Sequence, residues 1–76
     1  MNPIRVLILD DHPLLRLGLK RALEHEDGLA VASDCADIAS LKAWLEAGGQ
    51  ADVAIVDRSL PDGDGLDMVP ELRPAA

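Results

Sequence analysis

Two apolar runs in this chain each end in carboxylates. Ile4-Arg5-Val6-Leu7-Ile8-Leu9 leads into Asp10-Asp11, and Ala51-Asp52-Val53-Ala54-Ile55-Val56 leads into Asp57. Nearly continuous apolar runs of this length read as strands covered on both faces, the pattern of a parallel sheet. If the two strands are parallel neighbours, their carboxyl ends share one edge of the sheet and three acidic side chains converge there. In open parallel sheets, ligands bind outside those ends.

The segments between and beyond these runs complete an alternation. Pro13 suits the first position of a helix, and Leu15, Leu19, Ala22 and Leu23 recur at helical spacing until Gly28, so a helix is predicted over about Pro13 to Glu26. Leu29 to Cys35 alternates weakly and fits a less buried strand. Asp37 can cap a second helix whose apolar positions Ile38, Leu41, Trp44 and Leu45 end before Gly48-Gly49. After Asp57, the segment Leu60-Pro61-Asp62-Gly63-Asp64-Gly65 is dense in turn formers and is predicted as a loop. A third helix is predicted from Leu66 to Arg73, short or bent because Pro70 falls inside it. A β-α-β-α-β-α order implies an α/β layered fold with right-handed crossovers.

Size and composition limit how that fold can be stabilised. For 76 residues, burial at ~25 cal/mol/Å² contributes on the order of 110 kcal/mol. Ordering the chain at about 1.5 kcal/mol per residue costs on the order of 110 kcal/mol as well. A balance this near zero calls for a metal or a partner chain, because the sole cysteine, Cys35, excludes an internal disulfide. Cys35 itself is expected to be a buried, inert thiol. With no Phe or Tyr and one Trp, the core must be aliphatic. Fourteen acidic against seven basic residues give a net charge of −7, which argues against binding of nucleic acid or anionic membranes by this chain and in favour of a divalent cation or a basic partner. No leader-like or membrane-spanning stretch is present, so a cytoplasmic location is expected.

Three carboxylates within a few ångströms repel one another unless a cation or hydrogen bonds offset the repulsion. Mg²⁺ suits such a site, being a hard ion that binds one or two carboxylates together with phosphate oxygens. A carboxylate beside the metal can act as a nucleophile toward phosphorus. The residue pattern equally allows Asp10 and Asp11 to cap the first helix while Asp57 merely ends a strand. His12 follows the acidic pair and could approach the metal region, but the reading favoured is a role at the start of that helix, and His25 is expected to sit favourably at its negative end. Asp62-Gly63-Asp64-Gly65 fails as a calcium loop, since Leu66 occupies a ligand position and no glutamate stands at the twelfth.

The acidic pair Asp10-Asp11, the lone Asp57, and Leu60-Pro61-Asp62-Gly63-Asp64-Gly65-Leu66 together resemble the receiver domain of bacterial response regulators in two-component signalling. Asp10-Asp11-His12-Pro13-Leu14-Leu15-Arg16-Leu17-Gly18-Leu19 resembles the NarL/FixJ branch in particular, whose full-length members carry a DNA-binding output domain. The resemblance implies a flavodoxin-like fold with strand order 2-1-3 in the part present, residues 1–76 forming the N-terminal portion of a receiver domain and no output domain. It implies Asp57 as phosphoacceptor and Mg²⁺ held by Asp10, Asp11, Asp57 and the backbone carbonyl of Ser59. A sensor histidine kinase would be the phosphodonor.

The resemblance also marks a departure. The family continues into further strands and helices that bring a switch Ser/Thr and a lysine to the phosphoryl group. This chain has no threonine, and Lys20 and Lys42 fall within predicted helices. Phosphotransfer is therefore expected to be impaired, with weak Mg²⁺ binding retained, and Arg58 is expected to be a solvated charge rather than a phosphate contact. The strand Val53 to Val56 would become an exposed edge, which predicts a homodimer paired through it. The competing reading is a self-associating interaction or scaffold fragment without phosphorylation. An enzyme reading, as a haloacid dehalogenase-type phosphohydrolase, needs an acid two residues after Asp57, where Ser59 stands, so no enzyme is expected.

Overall fold

The computed structural model of the chain describes residues 2–72. Strand β1 (Ile4–Leu9) leads to helix α1 (Pro13–Glu24), strand β2 (Leu29–Cys35), helix α2 (Ile38–Glu46) and strand β3 (Val53–Val56). The three strands form one parallel sheet in the order β2-β1-β3. Register places Leu9 opposite Cys35 on one side and opposite Val56 on the other. Connections between parallel strands of one sheet are right-handed as a rule. Since β1 to β2 and β2 to β3 run in opposite directions across the sheet, α1 and α2 cover opposite faces.

Burial is centred on β1. Val6, Leu7, Ile8 and Leu9 are all buried, because this strand has a neighbour on each side and a helix layer on each face. Leu7 and Leu9 alternate toward the α2 face, where they form the core with Cys35, Leu41 and Met68. Trp44, Val56 and Leu60 pack around that cluster. The opposite face is thinner. No residue of α1 is buried, and Leu14, Leu15 and Leu17 are 85%, 53% and 43% exposed. Total accessible surface is 5191 Å², against roughly 4,500 Å² for a compact protein of this mass.

The element ends show where local chemistry departs from expectation. Helix α1 stops at Glu24, two residues before the predicted end, with His25 at its C-cap. Strand β3 begins at Val53 rather than Ala51 because Asp52 is drawn into a clamp with Arg5. The Asp52 N–H donates to the Arg5 carbonyl at 2.8 Å, the Arg5 N–H donates to Asp52 Oδ2 at 2.9 Å, and Arg5 Nε lies 3.4 Å from the same oxygen. The predicted loop after Asp57 contains a small antiparallel hairpin, β4 (Ser59–Leu60) with β5 (Gly63–Asp64). Gly63 turns it with φ +149°, a conformation side chains disfavour. The third helix is also shorter than predicted. A 3₁₀ turn spans Gly65–Met68, and only Val69–Leu72, here α3, is α-helical, so Pro70 falls in its first turn, where a missing N–H is harmless. Arg73, the predicted end, lies outside the described residues.

Helix α2 is capped twice. Asp37 Oδ1 accepts from the Ser40 N–H at 2.7 Å, as expected for its N-cap. Asp62, from the hairpin tip, accepts from the N–H groups of Ile38 and Ala39 at 2.9 and 3.0 Å. Two further donors of the first turn are thereby satisfied by a residue 24 and 23 positions away.

The Arg5 clamp has a consequence for pH. The Arg5 backbone N–H, and after it the Arg5 side chain, holds the Asp52 carboxyl below its ordinary value. A carboxyl more acidic in the folded than in the unfolded chain stabilises the fold above about pH 4 and ceases to do so as pH falls through the folded value. Chemical denaturation of Asp52→Asn should therefore show a shallower loss of stability below about pH 4 than the unaltered chain; parallel curves would remove this role.

Candidate functional site

The sheet register builds the site. The β1–β3 ladder extends one residue beyond Val56, with the Asp57 N–H donating to the Leu9 carbonyl at 2.8 Å, and the Asp10 N–H donates to the Cys35 carbonyl at 3.0 Å. Asp10 and Asp57 are thus fixed side by side at the carboxyl edge, where the chain turns from strand to helix on one side and to hairpin on the other. Gly65 closes the hairpin side. A Cβ there would run into the Asp57 carbonyl oxygen, and its N–H donates to the Arg58 carbonyl at 3.1 Å.

Asp10, Asp11, His12 and Asp57 each bring one donor atom into a group whose members lie within 4.8 Å of one another. Asp10 is buried, and its Oδ1 accepts from the His12 backbone N–H at 2.8 Å and lies 2.7 Å from His12 Nδ1. The His12 backbone N–H, more than burial opposes, holds the Asp10 carboxyl below its usual value. Arg16 Nη1 donates to the Asp10 carbonyl at 2.7 Å, which braces the first turn of α1 against this loop. Asp57 Oδ1 accepts from the Ser59 N–H at 3.1 Å, while its Oδ2 lies 3.5 Å from His12 Nδ1. Asp11 differs: its Oδ1 is buried and accepts no hydrogen bond, with His12 Nδ1 3.3 Å away.

Every predicted carboxylate of the site therefore reaches one place, and Ser59 adjoins it through its backbone N–H. His12 is the departure from expectation. Its backbone is the N-cap of α1, as expected, but the side chain makes no cap hydrogen bond and turns to the three carboxylates. Their charge favours the protonated ring, chiefly through the hydrogen bond to Asp10, and raises the His12 pKa. The spacing Asp-x-His just before a helix was the available signal, since an aspartate two residues upstream readily bonds the following backbone and faces the next side chain.

The other candidates take structural places. Arg58 is exposed and pairs with Asp64 at 3.5 Å. Asp64 Oδ1 also accepts from the Leu66 N–H at 2.9 Å, so the Asp-Gly-Asp-Gly run is used in helix and turn capping. Lys20 Nζ stands 3.8 Å from Asp34, and Lys42 is exposed on α2. Burial pushes the Cys35 thiol up, as suits an inert core cysteine.

The parallel 2-1-3 sheet with an acidic rim at its carboxyl edge defines a receiver-type signalling module. The sequence model of the response regulator receiver domain matches residues 6–76, and the chain belongs to that family, the receiver modules of two-component systems. It is 33% identical over 74 residues to the nitrate/nitrite response regulator protein NarP of Escherichia coli, covering 95% of this chain and 33% of that protein. Identity to the DNA-binding transcriptional activator DevR/DosR of Mycobacterium tuberculosis is 33% over 69 residues, covering 91% of this chain and 31% of the other. The non-phosphorylated receiver domain of the stress response regulator RcsB from Escherichia coli superposes with a TM-score of 0.78 at 32% identity, covering 92% of this chain and 55% of that structure. The chain thus spans about a third of the length of these two relatives. Among the described residues no helix is long and apolar enough to cross a membrane.

Receiver domains bind Mg²⁺ through acidic residues, and the residues here fit that ion. The donors are oxygens of the hard type it prefers, and the buried Asp11 Oδ1 lacks a partner that a cation would supply. Carboxylates whose oxygens lie within 4.8 Å of one another repel by roughly 3–4 kcal/mol or more at an effective dielectric near 20. In chelator, replacing Asp11 by Asn should therefore stabilise the domain by about 1 kcal/mol in urea denaturation, after screening and the opposing His12 charge are allowed for. A loss of stability would show that the cluster is not under repulsive strain.

Proposed function

We propose that residues 1–76 are the N-terminal portion of a receiver domain in which Asp57 accepts a phosphoryl group from the phosphohistidine of a sensor histidine kinase. The observation that carries this reading is the convergence of Asp10, Asp11 and Asp57 at the carboxyl edge of a 2-1-3 parallel sheet. In the transfer, an Asp57 carboxylate oxygen forms the new O–P bond as the P–N bond to the kinase histidine breaks. The Ser59 N–H fixes the Asp57 carboxylate by holding Oδ1. Asp10, Asp11, Asp57 and the Ser59 backbone carbonyl would hold Mg²⁺, which when bound supplies positive charge to the phosphoryl oxygens. The proposed location is cytoplasmic, with the kinase as partner and no enzymatic activity of the chain's own.

Transfer to this 76-residue segment on its own is proposed to be slow. Its lysines are elsewhere, Lys20 beside Asp34 and Lys42 exposed on α2. Donors preorganised on developing phosphoryl charge contribute several kcal/mol in such sites. With acetyl phosphate and Mg²⁺, intact mass should show little or no phosphoryl gain, and the thermal midpoint should rise with Mg²⁺ alone. That rise should vanish in Asp57→Asn. Stoichiometric phosphorylation would refute the impairment, and a rise unchanged in Asp57→Asn would refute the metal assignment.

A second reading, that the segment also works by self-association, is supported by the open side of β3. Among the described residues β3 pairs only with β1, and its Val53 and Ile55 are 50% and 37% exposed. We propose that two copies of the isolated segment pair β3 with β3, antiparallel and isologous, to form one continuous sheet. Sedimentation at micromolar concentration should give a dimer, and Val53→Lys should give a monomer. A monomeric unaltered chain would end this reading without touching the first.

A further inference from the structure

The position of the His12 ring carries an inference beyond the oxygen-ligand site, resting on the reading that these carboxylates hold a divalent ion. We propose that His12 Nδ1 is a further ligand of that site, beside the three carboxylates and the Ser59 carbonyl, and biases it toward ions that accept nitrogen donors, Co²⁺ and Zn²⁺, relative to Mg²⁺.

The distances discriminate between two places the nitrogen could occupy. An atom standing at the metal position would be about 2.1 Å from each ligand oxygen. His12 Nδ1 is instead 2.7, 3.3 and 3.5 Å from oxygens of Asp10, Asp11 and Asp57. Adjacent ligands of an octahedral ion with 2.0–2.1 Å bonds are about 2.9 Å apart. For a tetrahedral zinc with similar bonds the spacing is about 3.3 Å. Its separations from Asp11 and Asp57 are near those of neighbouring corners of a coordination polyhedron, while the 2.7 Å contact with Asp10 is a hydrogen bond whose proton a metal would replace.

Local structure keeps it there. Pro13, at the first position of α1, and the hydrogen bond from the His12 N–H to Asp10 Oδ1 fix the backbone that carries the ring. Helix α1 draws no cap from the side chain. To ligate, Nδ1 must present its lone pair, so its proton passes through water to Nε2 or to bulk solvent. The side chain is 64% exposed, which gives water access. Imidazole suits cobalt and zinc, whereas Mg²⁺ takes oxygen ligands and water and gains little from a nitrogen.

The test is a set of equilibrium titrations with Co²⁺, followed by its visible absorption, and with Zn²⁺ and Mg²⁺ in competition. It uses the unaltered chain, His12→Ala, and His25→Ala as a control for the second histidine. His12→Ala should weaken Co²⁺ and Zn²⁺ by about tenfold or more and Mg²⁺ by less than about threefold, while His25→Ala leaves all three unchanged. Imidazole ¹⁵N spectra of the unaltered protein with Zn²⁺ should show the His12 shift at Nδ1, a readout that does not depend on a variant folding. Equal weakening for all three ions, no weakening, or a ¹⁵N shift at Nε2 would each overturn the proposal. If Mg²⁺ fails to bind the unaltered chain while Co²⁺ binds with the Nδ1 signature, the magnesium reading fails and this inference stands. Asp57-dependent Mg²⁺ binding with a Co²⁺ affinity indifferent to His12 gives the reverse.

Discussion

The pairing of Leu9 with Val56 is the contact on which the remaining geometry rests. A parallel ladder in this register makes the next residues, Asp10 and Asp57, neighbours at one rim, and a slip of one position would send one of the two carboxylates to the other face. The register is set by burial. Leu7 and Leu9 must enter the α2 core while Val6 and Ile8 are covered on the other face, so only one alignment serves both layers. The acidic rim, unfavourable by itself, is held in place by hydrophobic packing beneath it.

The same packing explains the uneven quality of the two faces. The α2 side has a full set of aliphatic partners, with Leu41 inaccessible to solvent and Trp44 and Leu60 around it. The α1 side has a helix with no buried residue. β1 is saturated with neighbours and β3 is not, which is why a strand as apolar as Val53–Val56 leaves half of Val53 in water. The resemblance to the RcsB receiver, of which the chain covers 55%, fits a module in which β1 is already central.

Much of this was legible in the sequence, because buried parallel strands and amphipathic helices write their periods plainly. The strand order, the spans of β1, β2 and α2, the Asp37 cap and the convergence of Asp10, Asp11 and Asp57 follow from the apolar runs and the family motifs. What was not legible depends on contacts between distant residues. Asp62 reads as a turn former, yet its partners are the first N–H groups of α2. Asp52 reads as an interruption in a strand, yet it sets where the strand begins by bonding to Arg5. His12 reads as a residue at the start of a helix because its backbone is one, and only its place two residues after Asp10 hints that the ring turns to the carboxylates.

The double cap on α2 joins two regions that the chain keeps far apart. The hairpin carrying Asp62 leaves directly from Asp57, and its tip grips the leading turn of α2 through two short hydrogen bonds. Any rearrangement of backbone after Asp57 must then either drag that turn along or release two amide groups into solvent. The hairpin acts as a short strut, so displacement at the acidic rim is delivered to helix α2 through the Asp62 carboxylate and the two amide groups it holds.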